Sequence, residues 1–344
     1  MTNFLVQILG VTLSLATSKI VLLVAVGLLC LKLYLVHSKG VCRSTQTLEG
    51  KTVIVTGGNA GIGKETAKEL ARRKARVILA CRNLEKANKT MQEIFEETQQ
   101  KVVIKRLDLA SLRSVREFAD DILKTESRLD VLVNNAGLIN DRSKVQLTED
   151  GYEVCFQTNY LGHFLLTILL SELLKKSAPS RVINLSSILH HIGSTANLHD
   201  KATGNHPWTH PVLVYSNTKM AMLVFSRALA AKLKPHGVTV NAVHPGPVKT
   251  SIVQDTSHSV SLFFTFIFNY FGKTPQEGAQ TSIYAAVEPS LVKETGRYFV
   301  DCRKDLMGWN ALGRKRAQEV FEASLKLVQL DPAQVEKQLQ SPTS

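Results

Sequence analysis

Cysteine is scarce in this chain. There are five in 344 residues (Cys30, Cys42, Cys81, Cys155 and Cys302), odd in number, scattered and with no C-x-x-C pair. A disulfide framework and a zinc site of paired thiolates are therefore not indicated, and the pattern fits a reducing compartment. Internal repeats and low-complexity tracts are lacking, which argues against a solenoid or a linker-rich assembly. Acidic residues are outnumbered, 29 against 42 Lys and Arg, for a formal net charge of +13. Such an excess suits nucleic acid, an anionic cofactor or an anionic membrane face, and composition alone does not choose among them. Nine of the cations, Lys64, Lys68, Arg72, Arg73, Lys74, Arg76, Arg82, Lys86 and Lys89, crowd one short stretch, where a solvated helix face accounts for most of them.

What is present is enough for one large core. At 44% hydrophobic content, one α/β domain of roughly 250 to 300 residues is expected, without a second full domain. The N-terminus is separate in composition. Residues 20–36 read IVLLVAVGLLCLKLYLV, with the single charge of Lys32 near the far end, a length just sufficient to span a bilayer with that lysine snorkelling. A transmembrane anchor is preferred to a cleaved signal peptide, because no charged n-region opens the chain and no clear cleavage site follows. Residues 4–17 are also apolar; they read as a short second segment, re-entrant or interfacial. Lys32, Lys39 and Arg43 lie on the C-terminal side of the span, against Lys19 and the amino terminus before it, which by a small margin puts the folded part in the cytosol.

After a linker over 38–49, β-branched runs alternate with amphipathic, charge-rich stretches from residue 50 to about 305. This is the pattern of βα units in a parallel sheet. Strands are predicted over Thr52–Thr56, Arg76–Cys81, Val102–Asp108, Val131–Asn134, Arg181–Ser186, Thr239–His244 and Tyr298–Val300, giving a doubly wound, Rossmann-like α/β fold of about seven strands. A final helix over Trp309–Leu330 and a polar tail fill residues 306–344. Ligands of such sheets bind at the carboxyl edge where the winding reverses.

That edge carries the informative motifs. The first strand runs into Gly57-Gly58-Asn59-Ala60-Gly61-Ile62-Gly63 and a helix follows from Lys64. Glycines there permit a tight turn and let main-chain N–H groups approach a pyrophosphate at the positive helix end. At the end of the second strand, where an acid would bind a ribose 2′-hydroxyl, stand Arg82 and Asn83. Arg82 can pair with a 2′-phosphate, and Lys64 adds a nearby charge, so NADP is favoured over NAD. Asn134 is read equally well as a cofactor contact and as a tie between strands. Tyr215 and Lys219 stand at i and i+4 on one helix face. A phenol with a pKa of about 10 is a poor acid at neutral pH, and a neighbouring ammonium lowers that value. Ser187, rather than Ser186, would orient a carbonyl oxygen. His190 and His191 lack companions at ligand spacing, so no metal is assigned to them.

The T-G-x-x-x-G-x-G loop, N-N-A-G over Asn134–Gly137, the Ser186-Ser187 strand end and Y-x-x-x-K over Tyr215–Lys219 arrive in one order. Together they resemble the short-chain dehydrogenase/reductase family, from about Lys51 to Val300. The resemblance implies an enzyme with a tetrad of Asn159, Ser187, Tyr215 and Lys219, Asn159 holding a relay water. It implies cofactor contacts from Asp108 and Leu109, from Asn135, Ala136 and Gly137, and from Pro245, Gly246, Val248 and Thr250. Ser187 and Tyr215 are 28 residues apart, longer than in many members, with a His-, Pro- and Trp-containing insert between. Within the family, A-C-R-N, T-N-Y-L-G-H-F-L-L-T and S-S-I-L-H-H-I-G resemble the microsomal retinol dehydrogenases of the 11 to 14 subgroup. This implies NADP-dependent retinal reduction at the endoplasmic reticulum. A lid over about 250–275 contains VSLFFTFIFNYF at 260–271, which suits a lipophilic substrate or the bilayer surface, or else is a core helix. The expected partners are thus a retinoid-like small molecule and the membrane, with a homodimer left open and no nucleic acid. The rivals are reduction of steroid or lipid-derived carbonyls, and an NADP-binding membrane scaffold without turnover. An intact tetrad argues against the scaffold.

Overall fold

The run Thr52–Thr56, TVIVT, is buried along its whole length and forms β1, as expected of a strand covered on both faces. In this computed structural model the described residues are 19–24, 26–30, 32–33, 38–139, 145–205, 210–248 and 272–342. They belong to two units, Met1–Lys39 and Gly40–Ser344. In the first, residues 19–24, 26–30 and 32–33 are helical. Among the described residues no helix is long and apolar enough to cross a membrane. Residues 25, 31 and 34–36 of the expected span, and the apolar run 4–17, lie outside the described set.

In the second unit β1 is followed by α1 (Gly61–Arg72), β2 (Arg76–Cys81), α2 (Leu84–Thr98), β3 (Val103–Arg106), α3 (Leu112–Thr125) and β4 (Val131–Asn134). Then come α4 (Gly162–Leu169), β5 (Ser180–Leu185), α5 (Pro211–Leu233), β6 (Val238–His244), α6 (Pro275–Val287), β7 (Tyr298–Val300), β8 (Arg303–Asp305), α7 (Arg314–Leu327) and α8 (Pro332–Gln340). The sheet order is β3-β2-β1-β4-β5-β6-β7-β8. Strands β1 to β7 are parallel. The chain winds outward in both directions from the β1–β4 pair, so the crevice above these two strands is the topological switch point.

Side chains alternate across the sheet with period two. Ile54, Ile78, Leu132 and Val182 enter a core with Phe118, Phe164, Phe225 and Phe321 of α3, α4, α5 and α7. Val53, Val55, Val77, Leu79 and Ile183 enter a second core with Leu70 of α1 and Ile283 of α6. The first core is held by aromatic packing, with Phe164 4.8 Å from Phe225 and 5.5 Å from Phe321 between ring centroids. That cluster ties the C-terminal α7 to the helices that carry the site.

All seven expected strands have counterparts in the sheet, and an eighth does not: β8, three exposed charged residues, RKD, pairs antiparallel with β7. Its turn, Asp301-Cys302, has positive φ at both residues, the geometry of a two-residue hairpin. Neither alternation nor a glycine announces it. Toward the C-terminus a short turn over Trp309–Ala311 precedes α7, and Pro332–Gln340 forms α8 rather than a tail. Asp331 caps α8 through the Ala333 N–H at 3.0 Å, and Lys175 donates to the carbonyls of Gln338 and Ser341 at its far end.

Candidate active site

The glycine loop closes against the end of β4. Gly57 has φ +64°, a conformation that favours glycine, and a Cβ there would stand 3.1 Å from Ala136 Cα. A Cβ on Gly63 would come within 2.4 Å of both the Gly57 carbonyl oxygen and Asn135 Nδ2, so neither position admits a larger residue without backbone movement. Thr56 organises this contact. Its Oγ1 accepts from the N–H groups of Asn135 and Ala136 at 2.9 and 3.0 Å, and its carbonyl accepts from Asn135 Nδ2 at 2.8 Å. Helix α1 opens at Ala60 in extended backbone, with no side-chain cap and no acid in its first turn. The first-turn N–H groups and the positive end of the helix dipole are thus available to an anion. A glycine cradle that a Cβ would fill, beside an uncapped helix start, fits the pyrophosphate of a dinucleotide.

Ile62 faces the segment after β6. A Cβ on Gly278 would meet Val248 Cγ2 at 2.6 Å and Ile62 Cγ1 at 3.3 Å, which brings Val248 close to Ile62 of the glycine loop, while Pro245 and Gly246 lie against Lys273. Thr250 and the 260–271 run lie outside the described residues. The Asn59 carbonyl accepts from Thr90 Oγ1 of α2 at 3.1 Å. Asp108 Oδ1 accepts from the Ala110 N–H at 3.0 Å. Leu109 is buried, with its carbonyl 2.6 Å from where a Gly162 Cβ would be.

Two expectations change here. Lys64 is paired with Glu93 of α2, so its charge is partly spent within the protein. Asn134 Nδ2 donates to Asn184 Oδ1 of β5 at 2.7 Å and to Thr167 Oγ1 at 2.9 Å, and the strand-tying reading accounts for that amide nitrogen. Most of the basic stretch is exposed to solvent, as expected, and it is also ion-paired, with Lys68, Arg72, Arg73, Lys74, Arg76 and Lys89 all matched to glutamates. Arg82 is exposed at the end of β2 without an acidic partner among the described residues. Arg106, the register partner of Cys81 at the end of β3, is likewise exposed and unmatched. Sequence reading passed over this second cation because only sheet pairing sets it beside Arg82.

The four tetrad residues converge at the carboxyl ends of β4 to β6. Tyr215 sits in the second turn of α5, and a hydrogen bond links it to Ser187. Ser187 caps a short 3-10 helix, Ile188–Ile192, through the Leu189 N–H. Ser186 Oγ instead donates to the Lys219 carbonyl at 2.9 Å, a bond that ties α5 to the end of β5, whereas Ser187 is the serine bonded to Tyr215. Lys219 Nζ donates to the Leu185 carbonyl at 3.0 Å and lies 5.3 Å from the Tyr215 ring centroid. Asn159 lies in a π-helical turn, Gln157–Leu161, an irregularity that is frequent at functional sites. Its Oδ1 accepts from the Leu138 N–H at 2.8 Å and its Nδ2 donates to the Leu138 carbonyl at 2.9 Å. Gly137 fits against both groups, since a Cβ there would be 3.3 Å from Asn159 Oδ1 and 3.6 Å from Lys219 Nζ.

Electrostatics differ from the expected simple pairing. Burial raises the Tyr215 phenol pKa above its ordinary value, the Cys155 thiol adds to this, and the Ser187 bond opposes it. Burial also lowers the Lys219 ammonium to about 8. The protein groups by themselves therefore do not lower the phenol as a nearby ammonium would; desolvation of both partners prevails.

Two histidines beneath the site were not recognised as part of it. His163, fully buried, bridges the Asn159 carbonyl (Nδ1, 3.0 Å) and Thr56 Oγ1 (Nε2, 2.8 Å). The carbonyl only accepts, so Nδ1 carries the proton and Nε2 accepts from the threonine hydroxyl. Burial lowers His163 to about 3. His190 Nδ1 donates to the Ser187 carbonyl at 2.6 Å, and its Nε2 accepts from the Gly308 N–H at 3.1 Å; burial lowers this histidine too. A buried ion pair was also missed: Lys273 Nζ meets Asp301 Oδ1 at 2.5 Å and the Pro245 carbonyl at 3.2 Å, fastening the loop after β6 to the β7–β8 turn.

A family model described as short chain dehydrogenase matches residues 51–261. Human (Homo sapiens) retinol dehydrogenase 11 is 43% identical over 294 residues, covering 85% of this chain and 90% of its own. Mouse (Mus musculus) retinol dehydrogenase 13 is 44% identical over 296 residues, covering 85% and 87%. Among solved structures, an uncharacterized protein from Mycobacterium Paratuberculosis superimposes with a TM-score of 0.66 at 29% identity, over 85% of this chain and 98% of that one. With a doubly wound sheet, a glycine cradle at its switch point and similarity to relatives over most of their length, the chain belongs to the short chain dehydrogenase family.

Proposed function

We propose that this protein is an NADP(H)-dependent oxidoreductase that interconverts retinal and retinol, chiefly in the reductive direction, on the cytosolic face of the endoplasmic reticulum membrane. The observation that carries the chemistry is the meeting of Tyr215, Ser187, Lys219 and Asn159 beside the glycine cradle. The retinoid assignment draws on the names of the relatives just described. The membrane assignment draws on the apolar run 20–36 and the cations that follow it.

The cofactor would be held by Gly57, Asn59, Ala60, Gly61, Ile62 and Gly63 at its pyrophosphate, and by Arg82 with Lys64 at a 2′-phosphate. Asp108 and Leu109 would meet the adenine. Asn135, Ala136 and Gly137, with Pro245, Gly246, Val248 and Thr250, would line the path to the nicotinamide. The chemistry supplied by the bound nicotinamide is hydride transfer to the carbonyl carbon. Ser187 donates a hydrogen bond to the carbonyl oxygen, holding it beside the Tyr215 hydroxyl. Tyr215 gives that oxygen its proton as negative charge grows there. Lys219, close to half-charged at a pH of about 8, provides the positive charge that eases loss of the phenolic proton. Asn159 fixes the backbone at Leu138 and steadies the water through which Tyr215 and Lys219 are reprotonated.

The test is turnover of retinal by membranes containing the full chain, with NADPH and with NADH, beside the Tyr215→Phe and Arg82→Ala variants. Tyr215→Phe should abolish turnover while NADPH still binds, and Arg82→Ala should weaken NADPH binding at least about tenfold with NADH little changed. Equal retinal consumption by wild type and Tyr215→Phe would overturn the mechanism. An unaltered cofactor preference in Arg82→Ala would overturn the NADP assignment.

A further inference from the structure

Outside the site, the largest anomaly among the described residues is a cluster of bare apolar side chains. Trp309 is 90% exposed and Leu306 82%, and Ile188 and Ile192 are each more than half exposed. They come from two segments that touch. Gly308 donates its N–H to His190, and a Cβ on Gly308 would lie 3.3 Å from His191 Nδ1, so the Leu306–Trp309 stretch rests directly on the Ile188–Ile192 helix. That helix begins at Ser187. The cluster therefore adjoins Ser187.

We propose that this surface seats the catalytic unit on an anionic phospholipid bilayer, beside the entrance through which a lipophilic substrate would pass. The chemistry of its rim favours that occupant over a second copy of the chain. Arg303, Arg314 and Lys315 flank the apolar residues, exposed and without acidic partners among the described residues, and outnumber the exposed carboxylate of Asp305 beside Leu306. Arg314 and Lys315 also open α7, whose first turn has no acid, where the helix dipole disfavours cations. A self-complementary contact would bring these like charges together, whereas a negative lipid surface relieves both penalties. An exposed tryptophan with leucine and isoleucine beside basic residues is the composition of an interfacial anchor.

The chain has two tryptophans, Trp208 and Trp309, so Trp208→Phe leaves Trp309 as the sole reporter in the full-length protein. This variant would be reconstituted into phosphatidylcholine vesicles with and without phosphatidylserine, carrying lipids brominated near the headgroup. We expect a blue-shifted emission, at least about twofold quenching by brominated lipid and protection from acrylamide, strongest with phosphatidylserine. Emission that ignores brominated lipid and is fully reached by acrylamide would overturn the proposal. So would protection that follows protein density rather than lipid, which would assign the surface to a second copy. A second arm, which rests on the proposed reductase activity, uses Leu306→Asp with Trp309→Asp. The apparent KM for retinal delivered in vesicles should rise at least about threefold, while that for a short water-soluble aldehyde stays unchanged; equal effects on both would also count against docking. The fluorescence arm stands even if retinal proves not to be the substrate.

Discussion

Replacing His163 by phenylalanine keeps a planar ring in the core and removes both of its hydrogen bonds. In the wild type, Nδ1 donates to the Asn159 carbonyl and Nε2 accepts from Thr56, whose oxygen in turn accepts from Asn135 and Ala136. Without the imidazole, the Asn159 carbonyl loses its ring donor, and the Thr56 hydroxyl is left with the Val133 carbonyl at 3.4 Å. Losing a buried partner of this kind costs about 1–3 kcal/mol. The deficit should also depend on pH. Burial holds His163 at about 3, whereas in the unfolded chain its value is about 6.5. Between those values the unfolded chain binds a proton that the folded protein does not. The neutral ring's contribution is therefore complete above about pH 6.5 and declines by about 1.4 kcal/mol per unit as pH falls. Phenylalanine has no such liability, so by about pH 5 the variant should recover about 2 kcal/mol relative to wild type. His190 and His244 are also shifted down by burial, but they are common to both proteins and cancel in the difference. Urea denaturation followed by far-UV circular dichroism in one detergent, at about pH 7.5 and about pH 5, measures both terms. A deficit equal at the two pH values would refute the assignment of a neutral, proton-excluding His163.

Asp301→Asn should destabilise the protein by about 3–5 kcal/mol, because it leaves the Lys273 ammonium buried without its counter-charge; the same denaturation assay reads it, and Asp301→Asn with Lys273→Met should recover part of the loss. Because burial lowers Lys219 to about 8, turnover that needs its ammonium should decline as pH rises above about 8. A rate profile that stays flat to about pH 10 would show that Lys219 acts without its charge.

The residues that show in sequence are those whose role is local. The glycine loop, Tyr215 with Lys219, and the buried parallel strands each declare themselves within a few neighbours, through backbone freedom, helix spacing or an unbroken apolar run. The parts that did not show depend on contacts far apart in the chain. His163 reaches Thr56 across 107 residues and His190 reaches Gly308 across 118, and nothing beside either histidine distinguishes it from an ordinary core residue. The direction in which burial moves Tyr215 is hidden for a related reason. A four-residue spacing puts charge near the phenol, but only the packed structure reveals how completely both groups are desolvated. The Lys64–Glu93 pair is hidden in the same way, because its partners stand 29 residues apart.

The β7–β8 hairpin has a bearing on how the folded protein behaves among its neighbours. A parallel sheet that stopped at β7 would leave a hydrophobic strand with an open row of main-chain donors and acceptors, a template for strand addition from another molecule. Three charged residues turned back along that strand occupy the row and give the new border a side-chain character that repels further pairing. The same tight turn supplies the carboxylate that holds the loop after β6. Shortening the hairpin would therefore loosen that loop and expose an adhesive edge in one change, so aggregation and slack ligand contacts should emerge together.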